Sequence, residues 1–430
     1  MRIRQLDSSC RRIYSAVIYN DFMNLFSQYQ DLPSQIYILF FGRIVTSLGS
    51  MVWPMLTMIL NQKMGMSASE ISQIIVLAGI IMIPAYLLGG KLADRFSKKR
   101  NIVLLDSLSI AFYIISAFLP LSITVIILII AAAVFQSMEQ PSYNALVADL
   151  TYTKDRERAY SMLYLGSNLG LILSPTISGF LFRNYLWLAF LISGIAIASS
   201  TILIQLKIND ITPVHDESEE ASYQTAREDA SLLSILKENR VLLLFVICTG
   251  LYQAVYMMWG YLMPLDLGRI HGENGAVIYG TINSLNCLIV VLFTPLITRR
   301  FSRFHEPEKI LIALLMIGLG YLIFLLNEGR IPFYYAAIIL FTWGEIFETI
   351  SDAPYAANRI PSSHRGRISG FSTVIQSFLA GGFELAIGTL YDHFSPVAAW
   401  ASVLAANAIA ALLCLMLIRQ DRKAYPDLYE

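Results

Sequence analysis

Long apolar runs, separated by short polar stretches, repeat along nearly the whole sequence. A bilayer core about 30 Å thick requires roughly 20 consecutive, mostly apolar residues to cross it as a helix. Runs of that length predict twelve transmembrane helices, at residues 36 to 59, 71 to 93, 101 to 120, 122 to 148, 159 to 182, 185 to 206, 240 to 263, 276 to 298, 309 to 327, 331 to 354, 368 to 391 and 396 to 418. The pattern therefore predicts an all-α membrane protein.

The predicted helices fall into two sets of six, and the two sets resemble each other. Asp94-Arg95-Phe96-Ser97 follows predicted helix 2, and Arg299-Arg300-Phe301-Ser302 follows predicted helix 8. Such matches support a duplicated six-helix unit. The predicted organisation is a cytoplasmic N-terminal segment at 1 to 35, a six-helix bundle at 36 to 206, a cytoplasmic linker at 207 to 239, a second six-helix bundle at 240 to 418 and a cytoplasmic tail at 419 to 430.

Lysine and arginine residues are distributed unevenly between the two sides of the predicted membrane. If both termini are cytoplasmic, 26 of the 31 basic residues lie on the cytoplasmic side, and only Lys63, Arg183, Arg269 and Arg330 lie outside. Cytoplasmic loops of membrane proteins carry such an excess of positive charge. We therefore expect a multi-pass protein of the plasma membrane with both termini in the cytoplasm.

The composition argues against several other classes of protein. Apolar residues make up 56% of the chain and charged residues only 14%, which is more apolar than soluble domains. The formal net charge is zero, so we expect no nucleic-acid partner. No histidine lies in the middle of a predicted helix, and the sequence has no HExxH or GxSxG motif. We therefore expect neither an intramembrane enzyme nor a metal site. We also do not expect a sensor or scaffold protein, because such a protein would be expected to carry an added soluble domain.

The loop between predicted helices 2 and 3 contains a specific motif. It reads Gly90-Lys91-Leu92-Ala93-Asp94-Arg95-Phe96-Ser97-Lys98-Lys99. This segment resembles the signature of the major facilitator superfamily, which runs Gly, three residues, Asp, Arg or Lys, any residue, Gly and then two basic residues. Ser97 stands where that signature has its second glycine. The resemblance implies the twelve-helix fold of these transporters and a mechanism of alternating access.

The resemblance also implies that this loop is part of a gate. Gly90 is expected to let helix ends approach closely. Asp94 is expected to face the start of helix 11 near Ser369, where the helix dipole attracts negative charge. Lys98 is expected to lie near Asp149 at the end of helix 4, which would hold the cytoplasmic side shut. The implied gating motif consists of Gly90, Asp94, Arg95, Lys98, Lys99 and Asp149.

Predicted helix 5 contains small residues at close-packing spacing around a proline. Gly170, Ser174, Pro175 and Gly179 resemble a pattern that accompanies antiporters of the same family, with Ser174 and Ser178 in place of two glycines. Small residues permit close helix crossing, and proline allows the helix to bend. The pattern favours export, and ordinary packing of small residues is the alternative.

Ionisable side chains inside the predicted membrane are candidates for function, because a charge in hydrocarbon costs several kcal/mol unless it is paired or hydrated. These residues are Arg43, Glu139, Glu345, Glu348 and Glu384. Arg43 and Glu139 lie at similar depths, so we expect a buried pair that is either functional or a structural lock. Many proton-antiporting relatives carry a basic residue on the outer half of helix 4, and this chain instead has Gln136 and Glu139.

The carboxylates of predicted helix 10 are the first candidates for proton coupling. Glu345 and Glu348 are three residues apart and share one helix face. Two carboxylates this close, in a medium of low dielectric, favour retention of a proton between them. Glu139 and Glu384 are the reserve candidates. The candidate cavity and substrate residues are Arg43, Gln136, Tyr252, Gln253, Tyr256 and Trp343. In the family, helices 1, 4, 7 and 10 line the cavity, and plain packing is the alternative for the aromatic residues.

Together these features indicate a secondary transporter that resembles bacterial twelve-helix multidrug exporters, which are drug:proton antiporters. We expect efflux of small amphipathic or drug-like molecules by a monomer in the lipid bilayer, with protons as the coupling ion. The proton gradient would drive transport, so we expect no cofactor. The alternative is uptake of a sugar, peptide or metabolite by proton symport or facilitated diffusion.

Overall fold

The structure is a computed structural model that describes residues 29–208, 240–327, 329–359 and 365–429. Most of the predicted N-terminal segment and most of the predicted linker lie outside these residues. Every regular element in the described ranges is a helix. The predicted fold class is therefore confirmed.

Twelve membrane-length segments, named α1 to α12, follow one another in the described part of the chain. Segment α1 is interrupted, with α-helix at Ser34–Leu48 and Val52–Met58 and a π-helix at Ile59–Lys63. The others are α2 (Ala68–Arg95), α3 (Lys98–Phe118), α4 (Ile123–Asp149), α5 (Thr153–Leu181), α6 (Leu186–Lys207), α7 (Arg240–His271), α8 (Asn274–Arg300), α9 (Glu306–Leu326), α10 (Ile331–Arg359), α11 (Arg365–His393) and α12 (Pro396–Ala424). Ten of the twelve are long and apolar enough to cross a membrane. The other two, α5 and α10, carry more polar residues.

Serine residues fix where several of these helices begin. The hydroxyl of Ser67 accepts a hydrogen bond from the backbone of Glu70, whose carboxylate accepts one from the backbone of Ser67. Ser97 and Ser395 likewise cap α3 and α12. Such caps satisfy N–H groups that have no partner inside the helix. These capping residues therefore fix the residue at which each helix begins, since an apolar helix interior alone would tolerate a shift of the chain along the helix axis.

Helices α7 and α12 run farther than the hydropathy pattern predicts. Helix α7 continues past Pro264, so Asp266 is buried and accepts hydrogen bonds from the side chains of Tyr391 and Trp400. Helix α12 continues to Ala424. Hydropathy underestimates both helices because their last turns contain polar residues that are paired inside the protein.

A buried ion pair joins the ends of α10 and α12. The carboxylate of Asp421 accepts two hydrogen bonds from Arg359, at 2.8 and 2.7 Å, and both side chains are fully buried. It also accepts hydrogen bonds from the hydroxyls of Tyr355 at 2.8 Å and Tyr429 at 2.6 Å. A buried charge pair is tolerated only when its hydrogen bonds are satisfied in this way. This cluster therefore fixes the end of α10 against the end of α12.

Each half of the molecule has its own helix packing. In the first half α1 packs against α5 and α6, α4 against α2 and α3, and α3 against α6. In the second half α7 packs against α11 and α12, α10 against α8 and α9, and α9 against α12. The halves meet where α5 crosses α8 and α2 crosses α11, with the second part of α1 against α7. The described helices therefore form two six-helix groups that meet along these contacts.

The two ends of the bundle differ in charge. The end that contains Lys98, Arg299 and Arg422 is called the basic face, and the end that contains Lys63 and Asp392 is called the opposite face. Most of the lysine and arginine residues of the described helices lie at or near the basic face. The positive-inside pattern predicts that the basic face is cytoplasmic.

Bonds between the halves close the opposite face. Lys63 Nζ lies 2.5 Å from Glu273 Oε1 and also donates to the carbonyl of Arg183 at 3.0 Å. The hydroxyl of Tyr261 donates to the carbonyl of Ala68 at 2.5 Å. These bonds between the halves therefore seal the opposite face.

Candidate functional site

Three ionisable side chains of the first half share one polar cavity. Arg43 comes from α1, Asp106 from α3 and Glu139 from α4, and each carboxylate residue is only 8% exposed. The cavity measures about 150 Å³. Its other polar lining residues are Thr46, Ser47, Ser50, Gln136, Gln140, Tyr143 and Ser200. The cavity thus holds one cationic and two acidic side chains in a largely apolar bundle.

The predicted direct pair between Arg43 and Glu139 is not formed. The guanidinium of Arg43 lies over the ring of Tyr143, 4.1 Å from its centroid, and makes no N–O contact within 4.0 Å of either carboxylate. Asp106 instead accepts a hydrogen bond of 2.6 Å from the hydroxyl of Thr201. Arg43 still interacts electrostatically with both acids. It therefore compensates a pair of carboxylates rather than a single partner.

A wider cavity adjoins this polar pocket. It measures about 360 Å³ and shares Arg43, Gln140 and Tyr143 with the smaller one. Tyr160 and Tyr164 of α5 add exposed aromatic surface to it, at 36% and 51% exposure. A still larger cavity of about 560 Å³ lies at the basic face among the ends of α9 and α12, away from these groups. The central cavity therefore combines charged and aromatic walls.

A second group of carboxylates lies on α10 in the other half. The amide of Asn286 on α8 donates to Glu345 Oε2 at 2.7 Å and to the hydroxyl of Thr342 at 2.9 Å. Glu348 and Asp352 continue the same face of α10, three and seven residues beyond Glu345. Neither forms a hydrogen bond or ion pair with another described residue. The three carboxylates therefore form a row without a basic partner in the described chain.

Aromatic side chains of α7 and α5 lie next to this row. Tyr256 lies beside Glu345 and stacks on Tyr252, with ring centroids 6.0 Å apart. Tyr164, which lines the wider cavity of the first half, is within electrostatic range of the same carboxylate. The two acidic groups therefore belong to one central space. Gln253 is half-buried on α7 beside Tyr252.

The structure does not bring Trp343 to this row. Trp343 is 37% exposed and packs against Phe293 of α8. It lies two residues before Glu345, which places it on nearly the opposite side of the helix. It shares an exposed apolar stripe with Ile339. The position of Trp343 is that of a residue on the outside of the bundle.

Glu384 is buried in α11, apart from both groups. It is 8% exposed, and its Oε1 has no hydrogen-bond partner among the described residues. Tyr261, which bonds to the start of α2, is within electrostatic range of it. Removing an unpaired charge from water is costly, so this side chain is expected to be neutral in the closed arrangement. Glu384 stays a reserve candidate for proton coupling.

The loop 2–3 motif is only partly engaged. Lys98 Nζ lies 3.0 Å from Asp149 Oδ2, so the ion pair implied by the resemblance is present. Asp94 is exposed and has no partner among the described residues, and the side chain of Ser369 lies outside them. The close helix approach expected at Gly90 occurs one residue earlier. A Cβ at Gly89 would clash with the Met138 carbonyl, whereas one at Gly90 would meet nothing.

The helix 5 motif lies where three helices cross. A Cβ at Gly170 would clash with the backbone of α1, and one at Gly179 would lie 2.6 Å from the carbonyl of Ala276 on α8. Gly280 of α8 likewise packs directly on the carbonyl of Pro175 of α5. The small residues therefore allow α5 to contact the other half closely, on the side of the sealed opposite face.

Three site residues were missed in the sequence, although a signal was available for two of them. Asp106 and Asp352 lie inside predicted helices 3 and 10, so the cost of burying charge would have marked both. Asn286 carried no such signal, because an amide in a helix is common. Its role depends on contact between α8 and α10, which hydropathy does not specify.

The family of the chain follows from comparison with known proteins. The model of the Major Facilitator Superfamily matches residues 39–384. The chain belongs to the major facilitator superfamily. The resemblance drawn from loop 2–3 is confirmed, and the protein is a multi-pass membrane protein and a secondary transporter of this type.

Its relatives differ in what they transport. The "Na(+), Li(+), K(+)/H(+) antiporter" of Planococcus maritimus is 25% identical over 380 residues, which cover 81% of this chain and 86% of that protein. The multidrug resistance protein MdtH of Yersinia pestis (strain Pestoides F) is 24% identical over 360 residues, covering 81% and 84%. A POT family transporter crystallised with a thioalcohol conjugated peptide superposes with a TM-score of 0.72 at 15% identity, covering 94% of this chain and 100% of that chain. This last likeness shows the fold alone.

Proposed function

We propose that the protein is a proton-coupled antiporter that exports small amphipathic organic cations from the cytoplasm. The observation that carries this proposal is the row of Glu345, Glu348 and Asp352, which has no basic partner in the described chain. The distribution of lysine and arginine supports a cytoplasmic basic face, and the sealed opposite face then makes the cavity accessible from inside.

An uncompensated carboxylate row suits antiport because it can be neutralised in two ways. In a medium of low dielectric the row is stable when protons bind to it or when a cation lies against it. Binding of a cation releases protons, and binding of protons releases the cation. Exchange of the two ligands across the membrane is therefore coupled through mutual exclusion at one site.

Aromatic walls favour an organic cation. Tyr256 lies beside Glu345, and Tyr160 and Tyr164 line the cavity across from it. Ring faces attract cations and also bury apolar surface, so an amphipathic cation gains from both. The export-type packing of α5 and the similarity to MdtH support the same direction of transport.

Alkali cations are the second candidate. This candidate is supported by the relative named as a Na(+), Li(+), K(+)/H(+) antiporter, because the similarity extends over most of both chains. A small cation would use the carboxylate and amide oxygens around Glu345 and Asn286. The aromatic walls would then be packing only.

The test uses purified full-length protein in proteoliposomes with an acidic lumen and the membrane potential clamped. Ethidium, Na⁺, K⁺, dialanine and glucose are compared, with a pH dye in the lumen. We expect ethidium to accumulate up to about ten-fold under a gradient of one pH unit and to raise the luminal pH in a protein-dependent way, since such a gradient supports at most about a ten-fold ratio for one-for-one exchange. A pH response to Na⁺ or K⁺ alone would favour the second candidate. Proton-linked movement of dialanine or glucose instead would overturn the proposal.

A further inference from the structure

The carboxylate of Asp392, at the end of α11, lies on the first turn of α2 in the other half. It accepts hydrogen bonds from the backbone N–H of Ala68 at 3.0 Å and of Ser69 at 2.7 Å. The hydroxyl of Ser69 donates to it at 2.5 Å. The first N–H groups of a helix have no internal partner and form the positive end of the helix dipole. Asp392 therefore caps α2 across the boundary between the halves.

Asp392 and Asp94 occupy equivalent positions in the chain. Each is the residue before the last of its helix, in α11 and α2 respectively. Each begins an Asp-x-Phe-Ser sequence, in one case Asp392-His393-Phe394-Ser395 and in the other Asp94-Arg95-Phe96-Ser97. In both sequences the serine caps the following helix by accepting from the backbone N–H three residues on. The two helix ends are thus built alike.

The topology places these two ends on opposite faces of the membrane. Helix α2 runs from the opposite face to the basic face, and α11 runs the other way, so the packed pair is antiparallel. The end of α11 therefore lies beside the start of α2, and the end of α2 lies on the side where α11 starts. The contact of Val76 with Gly381 shows that the two helices touch along their length.

Only one of the two carboxylates is engaged. Asp392 is bonded to α2 at the sealed opposite face, whereas Asp94 is exposed and has no partner among the described residues. We infer that Asp392 is a gate residue of the opposite face, which holds α2 while that face is closed, and that its contact alternates with the contact of Asp94 with α11 that the family resemblance implies for the closed basic face. The inference rests on the alternating access of the proposed function, but it does not depend on the substrate or the coupling ion.

Each capping contact favours one state of the transporter. Neutralising Asp392 removes a charge from the start of α2 only while the opposite face is closed, so it disfavours that state. Because Asp392 is exposed, we expect a shift of about two- to five-fold in the ratio of the two states, the size of a partly screened interaction between a charge and a helix end. Neutralising Asp94 is expected to shift the ratio in the other direction. Both act as positioning residues, since neither lies in the cavity.

The test measures the two gates directly by distance between spin labels in the full-length protein in nanodiscs, without substrate or gradient. One label pair reports the opposite face, at Tyr185→Cys and Phe333→Cys. The other reports the basic face, at Lys207→Cys and Arg303→Cys. All four positions are exposed. The three described native cysteines are buried, so only Cys10 is replaced, by serine.

Asp392→Asn is expected to lengthen the distance at the opposite face and to shorten it at the basic face. Asp94→Asn should do the reverse, and the double variant should return toward the native ratio. Asp392→Glu, which keeps the charge, should restore part of the effect. Ser395→Ala is the matched control, because it weakens the cap of α12 three residues away without contacting α2. It should leave both distances unchanged.

Two outcomes would overturn the inference: unchanged distances in Asp392→Asn, or a shift in the same direction as that caused by Asp94→Asn. Well-folded protein is verified by size-exclusion chromatography before labelling. The result is independent of the transport assay. A chain that moves no organic cation can still show opposed shifts, and an active antiporter can fail to show them.

Discussion

The two halves of the molecule bury carboxylates in opposite electrostatic settings. In the first half Asp106 and Glu139 share a cavity with Arg43, and Asp106 also accepts a hydrogen bond from Thr201. In the second half, the carboxylate row of α10 has an amide partner at Glu345 and no cation in the described chain. One arginine can neutralise only one of the two first-half acids, whereas the α10 row has no cation at all in the described chain.

On the proposed function, this difference distinguishes a partly neutralised charge cluster from a candidate exchange site. Arg43 supplies the first half with a positive charge that offsets one of its two acids. The α10 row supplies negative charge that only a proton or a cation can neutralise. We therefore propose that coupling belongs first to the α10 row and that the first-half cluster contributes to stability and to the electrostatics of the cavity.

The largest expected effect comes from the α10 row. On the proposed function, Glu345→Gln or Glu348→Gln removes a group that gains and loses a proton during the cycle, while the side-chain volume is kept. We expect either change to abolish accumulation of ethidium driven by a pH gradient, a loss of up to about ten-fold in the final ratio for a gradient of one pH unit, with downhill exchange preserved. Flux in proteoliposomes, with and without the gradient, measures both quantities.

Glu308→Gln is the matched control for these variants. Glu308 is paired with Arg422 at 2.5 Å on the basic face, outside the cavity, so its loss should leave accumulation intact. If both single variants and the double variant still concentrate substrate with a pH gradient as the sole driving force, the α10 carboxylates are structural and the contrast between the halves is lost.

The next effect is one of stability and concerns the first half. Arg43→Gln leaves Asp106 and Glu139 buried without a cation, which should lower the free energy of unfolding by about 2 kcal/mol. This value is below the range for a fully buried ion pair because the cavity is polar. We expect a lower yield and a midpoint of thermal inactivation lower by ~5 °C. Adding Glu139→Gln should recover part of the loss, and adding Asp106→Asn should recover more.

Fluorescence-detected size-exclusion chromatography after heating measures these differences. Simple additivity of the Arg43 and Glu139 changes would show that the two side chains do not interact. If the triple variant Arg43→Gln, Glu139→Gln, Asp106→Asn is stable but inactive, the cluster has a role in transport as well as in stability. If both stability and activity recover, the role of the cluster is structural only.

The fold could be predicted because the bilayer allows few solutions. A chain in hydrocarbon must satisfy its backbone within helices, so each long apolar run reports one helix regardless of its neighbours. The same constraint made Arg43, Glu139 and Glu345 visible as costly charges. It failed at Asp266 and Asp421, where pairing inside the protein continues a helix past the end of its apolar run.

The partners of these charges could not be predicted, since they depend on how helices are rotated against each other. Nothing in the sequence places Thr201 beside Asp106 or Asn286 beside Glu345. The pairing of Arg43 with Glu139 was inferred from depth alone. Depth placed both in one cavity, but Tyr143 lies one turn farther along the same face of α4, and its ring contacts the guanidinium.

The smallest expected effect concerns a carboxylate outside the membrane. Because this carboxylate is exposed, it sharpens the comparison between the buried acids of the two halves by showing how a paired acid behaves without burial. Glu273, at the opposite face, is bonded to Lys63 at 2.5 Å and lies 3.4 Å from Arg183. The hydrogen bond and charge of Lys63 lower the pKa of Glu273 below its ordinary value. The pKa of Glu273 is lowered only while the face is closed and the pair with Lys63 is formed. The pair therefore favours closure at every pH above the ordinary pKa of a glutamate, and this contribution is lost as the pH falls through the lowered pKa.

Glu273 is therefore ionised throughout the range from about pH 5.5 to 8, in contrast to a group that carries the transported proton. Glu273→Gln should reduce the population closed at the opposite face by less than about three-fold, because exposed ion pairs are weak and screened by salt. The reduction should be the same at pH 5.5 and pH 8, measured with the label pair at Tyr185 and Phe333. A change in the pH dependence of transport in this variant would place part of the coupling at the gate, and the α10 row would then not be the sole site where protons act.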